Sequence, residues 1–305
     1  MADKLSDLIG LPQLKARADY IIKACNKTNL VFPHLLLSGI GGTGKTAIAR
    51  AIALELDYYF VEFEAAIFKN RNQLLESLHK SEQQSSIANK KLMFFIDEIH
   101  RLSLPLQEAL YFPMSEFKIP KTENTIQVSE FTLVGATTRP EMLDGNSFIS
   151  RFKLHWVIER YENIFIEQII AKQLREYDLG FDINVVKEIS KRAIGIPRLA
   201  VNLVDKLNLL AKSMSITTLS EAHCARLFKI EEIDEFGLNQ THLKYLSIVA
   251  SNGKSPIGLS CIAAKMRQPE ESIQGTIEPL LLEMDLVALT PRGRIITPKG
   301  LEYLG

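Results

Sequence analysis

Apolar positions in residues 1–160 fall into two patterns that alternate along the chain. Short continuous apolar runs bounded by turn residues predict buried strands at residues 34–38, 59–63, 92–96, 131–136 and 154–158. Apolar side chains spaced three and four residues apart predict helices at residues 11–25, 45–56, 73–80 and 105–114. Strands that alternate with helices are typical of a parallel sheet covered on both faces, so this region predicts an α/β fold.

The strand pattern stops after residue 159. Residues 161–229 show helical spacing, interrupted at Gly180, at Gly195 to Pro197 and at Ser215, and predict a small all-helical domain. Helices are then predicted at residues 240–251, 260–266 and 270–284, followed by strands at 286–289 and 294–297 and a short helix. Three helices and a β-hairpin are typical of a winged helix. The pattern therefore predicts three domains, at residues 1–158, 159–231 and 232–305.

Composition is that of an ordinary globular protein. Of 305 residues, 46% are apolar, and 36 Lys and Arg balance 36 Asp and Glu, so a site for nucleic acid must be local. No apolar run is long enough for a membrane span, and the N-terminus lacks the pattern of a signal peptide, so we expect no membrane partner. Cys25, Cys224 and Cys261 are far apart in sequence, which predicts buried free thiols and a cytoplasmic location.

The segment GIGGTGKT, residues 39–46, lies between a predicted strand and a predicted helix. It fits the phosphate-binding pattern G-x-x-x-x-G-K-[ST] in its usual context. Backbone N–H groups of such a loop converge on phosphate oxygens. In this chain the loop residues are Gly39, Gly41, Gly42, Thr43 and Gly44. Lys45 would supply charge to the β- and γ-phosphates, and the Thr46 hydroxyl would reach Mg²⁺. The alternative is a glycine-rich turn with a solvated lysine; both flanking elements favour a nucleotide site.

A second motif, FFIDE at residues 94–98, places two carboxylates at the end of a predicted buried strand. Many strands end in a carboxylate that only caps the next helix. Together with the glycine-rich loop upstream, the functional interpretation is favoured. Asp97 would hold Mg²⁺ through water, and Glu98 would orient and polarise the attacking water.

Two further segments offer polar groups whose roles the residues alone leave open. In GATTRPEML, residues 135–143, either Thr137 or Thr138 could place a hydroxyl near the γ-phosphate or the water, and a turn threonine is equally compatible. Arg151 in SRF and Arg198 in GIPR could stabilise transition-state charge, the former across a subunit boundary. The alternative for an isolated arginine is a surface ion pair.

These motifs occur in the order and spacing of AAA+ ATPases. The segments IDEIHRLS, LQEALYFPMSEF, FTLVGATTR and LTPRGRIIT are more specific, and the chain resembles the RuvB family of Holliday-junction branch-migration motors from residue 5 to its end. The resemblance implies an AAA+ fold: a large ATPase domain, a helical lid and a C-terminal winged helix. It also implies ATP and Mg²⁺ as cofactors, a homo-hexameric ring, duplex or four-way-junction DNA as substrate, and a RuvA-like loader.

The resemblance also implies a role for each matching residue. Lys45, Thr46 and Asp97 would be the phosphate and Mg²⁺ ligands and Glu98 the catalytic base. Thr138 would be the first sensor, Arg151 the arginine finger given to the next subunit, and Arg198 the second sensor on the lid. Tyr161 would pack on adenine, and Arg292 and Arg294 in the wing would approach the DNA backbone.

Several departures from the family pattern suggest a divergent paralogue. Ile40 and Gly41 replace two prolines of the loop. The segment 117–131, in the place of the RuvA-docking hairpin, offers a partner only Ile119, Ile126 and Val128. Residues 232–305 hold seven Lys and Arg against nine Asp and Glu. The leading hypothesis, favoured by the intact Glu98 and Arg151, is an ATP-driven DNA motor. The alternative, favoured by the weakly basic winged domain and the altered hairpin, is an ATP-switched loader or initiator that hydrolyses ATP slowly.

Overall fold

The computed structural model describes residues 4–120, 125–145, 147–253 and 255–305. The chain divides into two compact units, Met1–Glu159 and Arg160–Gly305. No helix in the described ranges is long and apolar enough to cross a membrane.

The first unit is an α/β layer structure. Its α-helices are α1 (Pro12–Thr28), α2 (Lys45–Glu55), α3 (Arg71–Ile87), α4 (Leu104–Ala109) and α5 (Tyr111–Glu116). Its strands are β1 (Leu35–Gly39), β2 (Tyr59–Glu64), β3 (Leu92–Asp97), β4 (Lys118–Pro120), β5 (Thr125–Gln127), β6 (Phe131–Thr137) and β7 (Leu154–Ile158). All five strands predicted from the short apolar runs are present, and the predicted α/β fold is confirmed.

Five strands form one parallel sheet in the order β2–β3–β6–β1–β7. The central strands are buried on both faces, which explains their continuous apolar runs. On one face, Leu74 and Leu78 of α3 pack in the same cluster as Phe94 of β3. The register pairs Ser38 with Thr137 and Glu64 with Asp97. Because parallel strands end at the same edge, the segments after β1, β3 and β6 emerge together.

The predicted helix at residues 105–114 is two short helices in the structure, α4 and α5. Proline has no N–H group, so Pro113 cannot donate to the carbonyl of Ala109, and the helix is interrupted at Leu110. The predicted helix at 270–284 is interrupted in the same way. It consists of α12 (Glu270–Ser272), a π-helical segment (Ile273–Ile277) and α13 (Glu278–Glu283), with Pro279 just after the π-helical segment.

The segment that was expected to offer three apolar side chains to a partner forms a small antiparallel hairpin, in which Ile119 of β4 pairs with Ile126 of β5. Residues 121–124 of that segment lie outside the described residues. Ile119 and Val128 are buried in the core of the first unit, and Ile126 packs against it. The expectation that Ile119 and Val128 are available to a partner is therefore wrong.

The second unit is mainly helical. Its remaining helices are α6 (Asn163–Glu176), α7 (Ile183–Ala193), α8 (Pro197–Ser213), α9 (Glu221–Ile230), α10 (Gln240–Ala250), α11 (Leu259–Met266) and α14 (Pro298–Leu304). Its strands are β8 (Gly180–Phe181), β9 (Thr218–Leu219), β10 (Val287–Thr290) and β11 (Gly293–Ile296). The two-residue parallel pair β8–β9 was not predicted, because two residues show no periodicity. The antiparallel hairpin β10–β11 follows three helical segments, as the winged-helix pattern predicts.

Two hydrophobic clusters lie in the second unit. One is formed by residues between Ile166 and Phe228 and the other by residues between Leu238 and Ile296. The clusters are compatible with a helical domain followed by a winged helix, and the domain boundaries at residues 158 and 231 remain predictions.

All three cysteines are free. Cys25 and Cys224 are buried, as predicted, whereas Cys261 is exposed. In α11 the residues that face the core are Ile262, Ala263 and Met266, so helical spacing directs Cys261 to the opposite face.

Candidate functional site

The loop after β1 is held in shape by two of its own side chains. The ammonium of Lys45 donates to the carbonyls of Gly39 and Ile40 at 2.9 and 3.0 Å. The buried Thr43 hydroxyl donates to the Ile40 carbonyl at 2.9 Å. Gly39 has a φ of +142°, and a Cβ there would lie 2.2 Å from the carbonyl oxygen of Ile158. Glycine is therefore required where the loop leaves the sheet.

The loop leads directly into the 11-residue helix α2, of which Lys45 and Thr46 are the first two residues. Gly44, with a φ of +93°, is the residue that precedes the helix. A helix N-terminus presents N–H groups and the positive end of the helix dipole, which favours phosphate. The loop also lies close to the end of β6, since a Cβ added to Gly41 would be 4.0 Å from Cγ2 of Thr138.

The carboxylate pair after β3 lies at the same edge of the sheet. Asp97 ends the strand, and Glu98 adopts a left-handed conformation with a φ of +48°. The Glu98 N–H donates to Oδ1 of Asp97 at 2.9 Å. Burial raises the pKa of Asp97, and both this hydrogen bond and the positive charge of Lys45 act in the opposite direction. The effect of Lys45 on the pKa of Asp97 supports the prediction that the loop and the carboxylates belong to one site.

The side chain of Glu98 is held by groups from two elements. The Thr138 hydroxyl donates to Oε2 of Glu98 at 3.0 Å. Nδ1 of His100 lies 3.1 Å from the same oxygen and 3.0 Å from the hydroxyl of Thr137. Thr137 is buried and accepts a hydrogen bond from the N–H of Arg139. The sequence left open which threonine approaches the site; the structure places Thr138, and not Thr137, on Glu98.

His100 is a residue of this site that the sequence analysis did not select. Its side chain is 8% exposed. Burial lowers the pKa of His100, with the neighbouring Glu98 acting in the opposite direction. The imidazole therefore contacts Glu98 mainly as a hydrogen-bonding group. Its position in the sequence, two residues after Glu98, could have indicated that it lies near that carboxylate; in the structure it lies in the turn Ile99–Arg101.

Arg151 lies in the same unit, at the end of the short turn Ile149–Arg151. Its guanidinium carbon is 4.0 Å from the centroid of the Tyr111 ring, and its Nη1 donates to the carbonyl of Ser147. Sequence analysis did not select Tyr111, because nothing local links two residues forty positions apart.

Tyr161 and Arg198 belong to the second unit, and their roles toward nucleotide remain predictions. The Tyr161 N–H donates to the carbonyl of Gly195 at 2.9 Å, and burial raises the pKa of its hydroxyl to about 12. Gly195 has a φ of +70°, and a Cβ there would lie 2.7 Å from the Tyr161 carbonyl oxygen. This close approach requires glycine in the GIPR motif. Arg198 is exposed, as the second residue of α8.

The two wing arginines have different environments. Arg292 is exposed at the turn between β10 and β11. Arg294 is paired through Nε and Nη2 with the carboxylate of Glu278, at 2.7 and 3.0 Å. Glu278 is 3% exposed and also accepts from the Tyr245 hydroxyl at 2.6 Å. The Arg294 guanidinium is thus engaged inside the winged helix.

Comparison with known proteins identifies the relatives of the chain. A family model described as "Holliday junction DNA helicase RuvB P-loop domain" matches residues 2–158, and one described as "RuvB C-terminal winged helix domain" matches residues 235–305. The RuvB subunit of the Holliday junction branch migration complex of Campylobacter lari is 31% identical over 304 residues, covering 97% of this chain and 88% of that protein. The corresponding subunit of Streptomyces griseus is 29% identical over 313 residues, covering 99% and 84%.

Solved structures agree with this comparison. The Thermotoga maritima RuvB Holliday junction branch migration motor superposes with a TM-score of 0.88 at 27% identity, covering 99% of this chain and 97% of that one. A variant of the same protein superposes with a TM-score of 0.89 at the same identity and coverage.

Proposed function

The chain belongs to the RuvB family, and from this premise we propose that it hydrolyses ATP in a hexameric ring to move duplex DNA through four-way junctions. Its reaction is the hydrolysis of ATP to ADP and phosphate. One observation carries the assignment of the site: the glycine-rich loop, the carboxylates at the end of β3 and Thr138 lie at one edge of the sheet, where the Thr138 hydroxyl donates to Glu98 and its Cγ2 would lie 4.0 Å from a Cβ on Gly41.

The residues at this edge would have separate roles in ATP hydrolysis. The loop from Gly39 to Gly44 and the start of α2 would bind phosphate oxygens, with Lys45 turning from its carbonyl partners to the β- and γ-phosphates. Glu98 would accept a proton from the attacking water. Thr138 and His100 hold the Glu98 carboxylate, and thereby set where that proton is accepted.

The residues also fit Mg²⁺ that arrives with the nucleotide. Among the residues that the structure describes, no group of three His, Cys, Asp or Glu side chains could hold a metal ion. Mg²⁺ in nucleotide sites commonly takes one or two carboxylates and completes its shell with water and phosphate oxygens. Thr46 and Asp97 would supply the protein ligands, and the ion would neutralise charge on the phosphates.

Arg151 would act on the nucleotide of a neighbouring subunit, which makes the ring a chemical requirement of hydrolysis. Tyr161 and Arg198 would contact the same nucleotide from the lid, at adenine and phosphate respectively. The exposed Arg292 is the better-placed wing residue for a DNA phosphate, because Arg294 is engaged by Glu278. A RuvA-like loader remains the proposed protein partner.

The experiment that tests this function is steady-state ATP hydrolysis without DNA, with linear duplex and with a four-way junction. Lys45→Ala is the blank, and Glu98→Gln is a second control that should bind ATP without turnover. Stimulation that is strongest with the junction supports the motor. Slow hydrolysis that does not respond to DNA would instead support the second candidate function.

That second candidate is an ATP-switched loader or initiator, in which nucleotide sets the bound state of a partner. It is favoured by the charge of the proposed winged domain, where residues 232–305 hold seven Lys and Arg against nine Asp and Glu. Affinity for DNA depends on the neutralisation of phosphates by Lys and Arg side chains, so a domain with few such side chains binds DNA weakly.

A further inference from the structure

The ring of Tyr111 contacts the guanidinium of Arg151, although the two residues belong to different segments of the first unit. The guanidinium carbon is 4.0 Å from the ring centroid, well within the range of a cation–π contact. We propose that Tyr111 is a positioning residue for Arg151, holding the guanidinium by its face so that its N–H edge meets the γ-phosphate on an adjoining subunit. This inference rests on the proposed role of Arg151 as an arginine finger.

The Tyr111 side chain is held by a hydrogen bond to Asp144 and by contact with Phe148. Its hydroxyl donates to Oδ2 of Asp144 at 2.6 Å. Its face stacks on Phe148, with ring centroids 6.1 Å apart and an interplanar angle of 26°. Phe148 is fully buried and packs edge-on against Phe152 at 5.3 Å. A ring fixed by a hydrogen bond at one end and by the buried Phe148 on one face has little freedom, so a cation that contacts it is also held in place.

A hydrogen bond engages the guanidinium of Arg151. Nη1 donates to the Ser147 carbonyl, and Nε is buried with no hydrogen-bond partner among the described residues. A cation–π contact presents no oxygen acceptor to the guanidinium, so it does not compete with phosphate oxygens for the five N–H donors. A carboxylate at the same place would bind those donors and compete with phosphate oxygens. An aromatic support avoids that competition.

The charge state of Tyr111 suits this function. Burial, with the hydrogen bond to Asp144 and its negative charge, raises the pKa of Tyr111 to about 12. At neutral pH the hydroxyl therefore keeps its proton and remains a donor to Asp144. The support under Arg151 is an uncharged ring, which holds the cation without neutralising it.

The test compares Tyr111→Leu, which removes the aromatic face, with Tyr111→Phe, which keeps it. We expect Tyr111→Leu to lower kcat for ATP hydrolysis about tenfold with KM nearly unchanged, the effect of losing a cation–π contact. Tyr111→Phe should stay within about threefold of the unmodified chain, because the face remains. A Tyr111→Leu chain with unchanged kcat would overturn the inference.

Mixing subunits separates positioning from a general structural role. Glu98→Gln subunits retain Tyr111 and Arg151, so mixing them with Tyr111→Leu subunits should raise hydrolysis above the sum of the two alone. Mixing Arg151→Ala with Tyr111→Leu subunits should give no such rise, since neither supplies a positioned finger. The absence of recovery in the first mixture would overturn the inference, because the defect would then lie outside the finger.

Arg151→Ala distinguishes failure of this inference from failure of the proposed function. If Arg151→Ala hydrolyses ATP at the unmodified rate, the finger assignment itself is wrong. If Arg151→Ala is slow and recovers on mixing with Glu98→Gln while Tyr111→Leu is fully active, only the role of Tyr111 is wrong. Should Tyr111→Leu lose ATP affinity, Tyr111→Met, which fills similar apolar volume without an aromatic face, is measured in its place with the same criteria.

Discussion

The hydroxyl of Thr138 donates a hydrogen bond of 3.0 Å to Oε2 of Glu98, and so joins the ends of two neighbouring strands. The same oxygen lies 3.1 Å from Nδ1 of His100. A carboxylate held by two groups has a defined direction, whereas one held by a single group can rotate. The orientation of a general base affects the rate of proton transfer more than the affinity for substrate.

Thr138→Val removes this hydroxyl with little change in shape. We expect kcat for ATP hydrolysis to fall by about tenfold, while the dissociation constant for ATP changes by less than about threefold. Steady-state hydrolysis and equilibrium binding of a fluorescent ATP analogue measure the two quantities. Thr138→Ser, which keeps the hydroxyl, is the matched control and should retain most activity. An unchanged kcat in Thr138→Val would show that His100 alone suffices to orient Glu98.

His34, the residue before β1, makes the stability of the first unit depend on pH. Its Nδ1 accepts from the N–H of Leu133 at 2.9 Å, and its Nε2 is 3.0 Å from the carbonyl of Met114. Both ring positions are thus used by the neutral tautomer, and burial lowers the pKa of His34 from 6.5 to about 4. The unfolded imidazole takes a proton more readily than the folded one, so stability is complete above pH 6.5 and is lost as pH falls toward 4.

The expected loss from His34 between pH 7 and 4 is roughly 3 kcal/mol in the free energy of unfolding. Denaturant unfolding at several pH values measures it. His34→Gln does not titrate in this range, so its stability should fall less on acidification, although it starts lower at pH 7. Parallel pH profiles for the two chains would rule out His34 as the source.

The buried pair Arg294–Glu278 predicts a stability effect in the winged helix. Removing one partner of a buried ion pair leaves an uncompensated charge, so Arg294→Met should lower the free energy of unfolding by about 3 kcal/mol. In the double variant Arg294→Met, Glu278→Gln, the amide carries no charge and its oxygen still accepts from Tyr245. At least half of the stability should therefore return, as chemical denaturation would measure. A double variant no more stable than Arg294→Met would mean that the loss comes from packing and not from charge.

The sequence identified the parts of the site whose chemistry is local. The glycine-rich loop and FFIDE each combine an element end with candidate functional side chains within eight residues, so pattern alone predicted Lys45 at a helix start and Asp97 and Glu98 at a strand end. The choice between Thr137 and Thr138 needed the structure, because both follow the same strand and only the direction of each side chain distinguishes them. Tyr111 and Arg151 lie forty residues apart, and their contact depends on how the chain folds back on itself.

The wing contains another side-chain contact that the sequence did not reveal, the pair formed by Arg294 and Glu278. The family resemblance implied the same role for Arg292 and Arg294, a contact with the DNA backbone. The buried carboxylate of Glu278, sixteen residues earlier, engages Arg294. Nothing in the sequence near Glu278 marks it as buried, since it follows a π-helical segment that pattern analysis assigned to a regular helix.

Arg292 allows a test of the proposed DNA contact, because its side chain is exposed at the wing tip. Its backbone N–H donates a hydrogen bond to the Thr290 hydroxyl. If Arg292 contacts one DNA phosphate, Arg292→Ala should weaken binding to duplexes of any sequence and reduce the salt dependence of log K by about one unit of slope. Stability should be unchanged, which separates this variant from Arg294→Met. Lys244→Ala, which removes an exposed charge from α10, is the matched control for a change in net charge. Fluorescence anisotropy at several salt concentrations measures both chains, and equal slopes for Arg292→Ala and Lys244→Ala would show that the wing tip makes no specific phosphate contact.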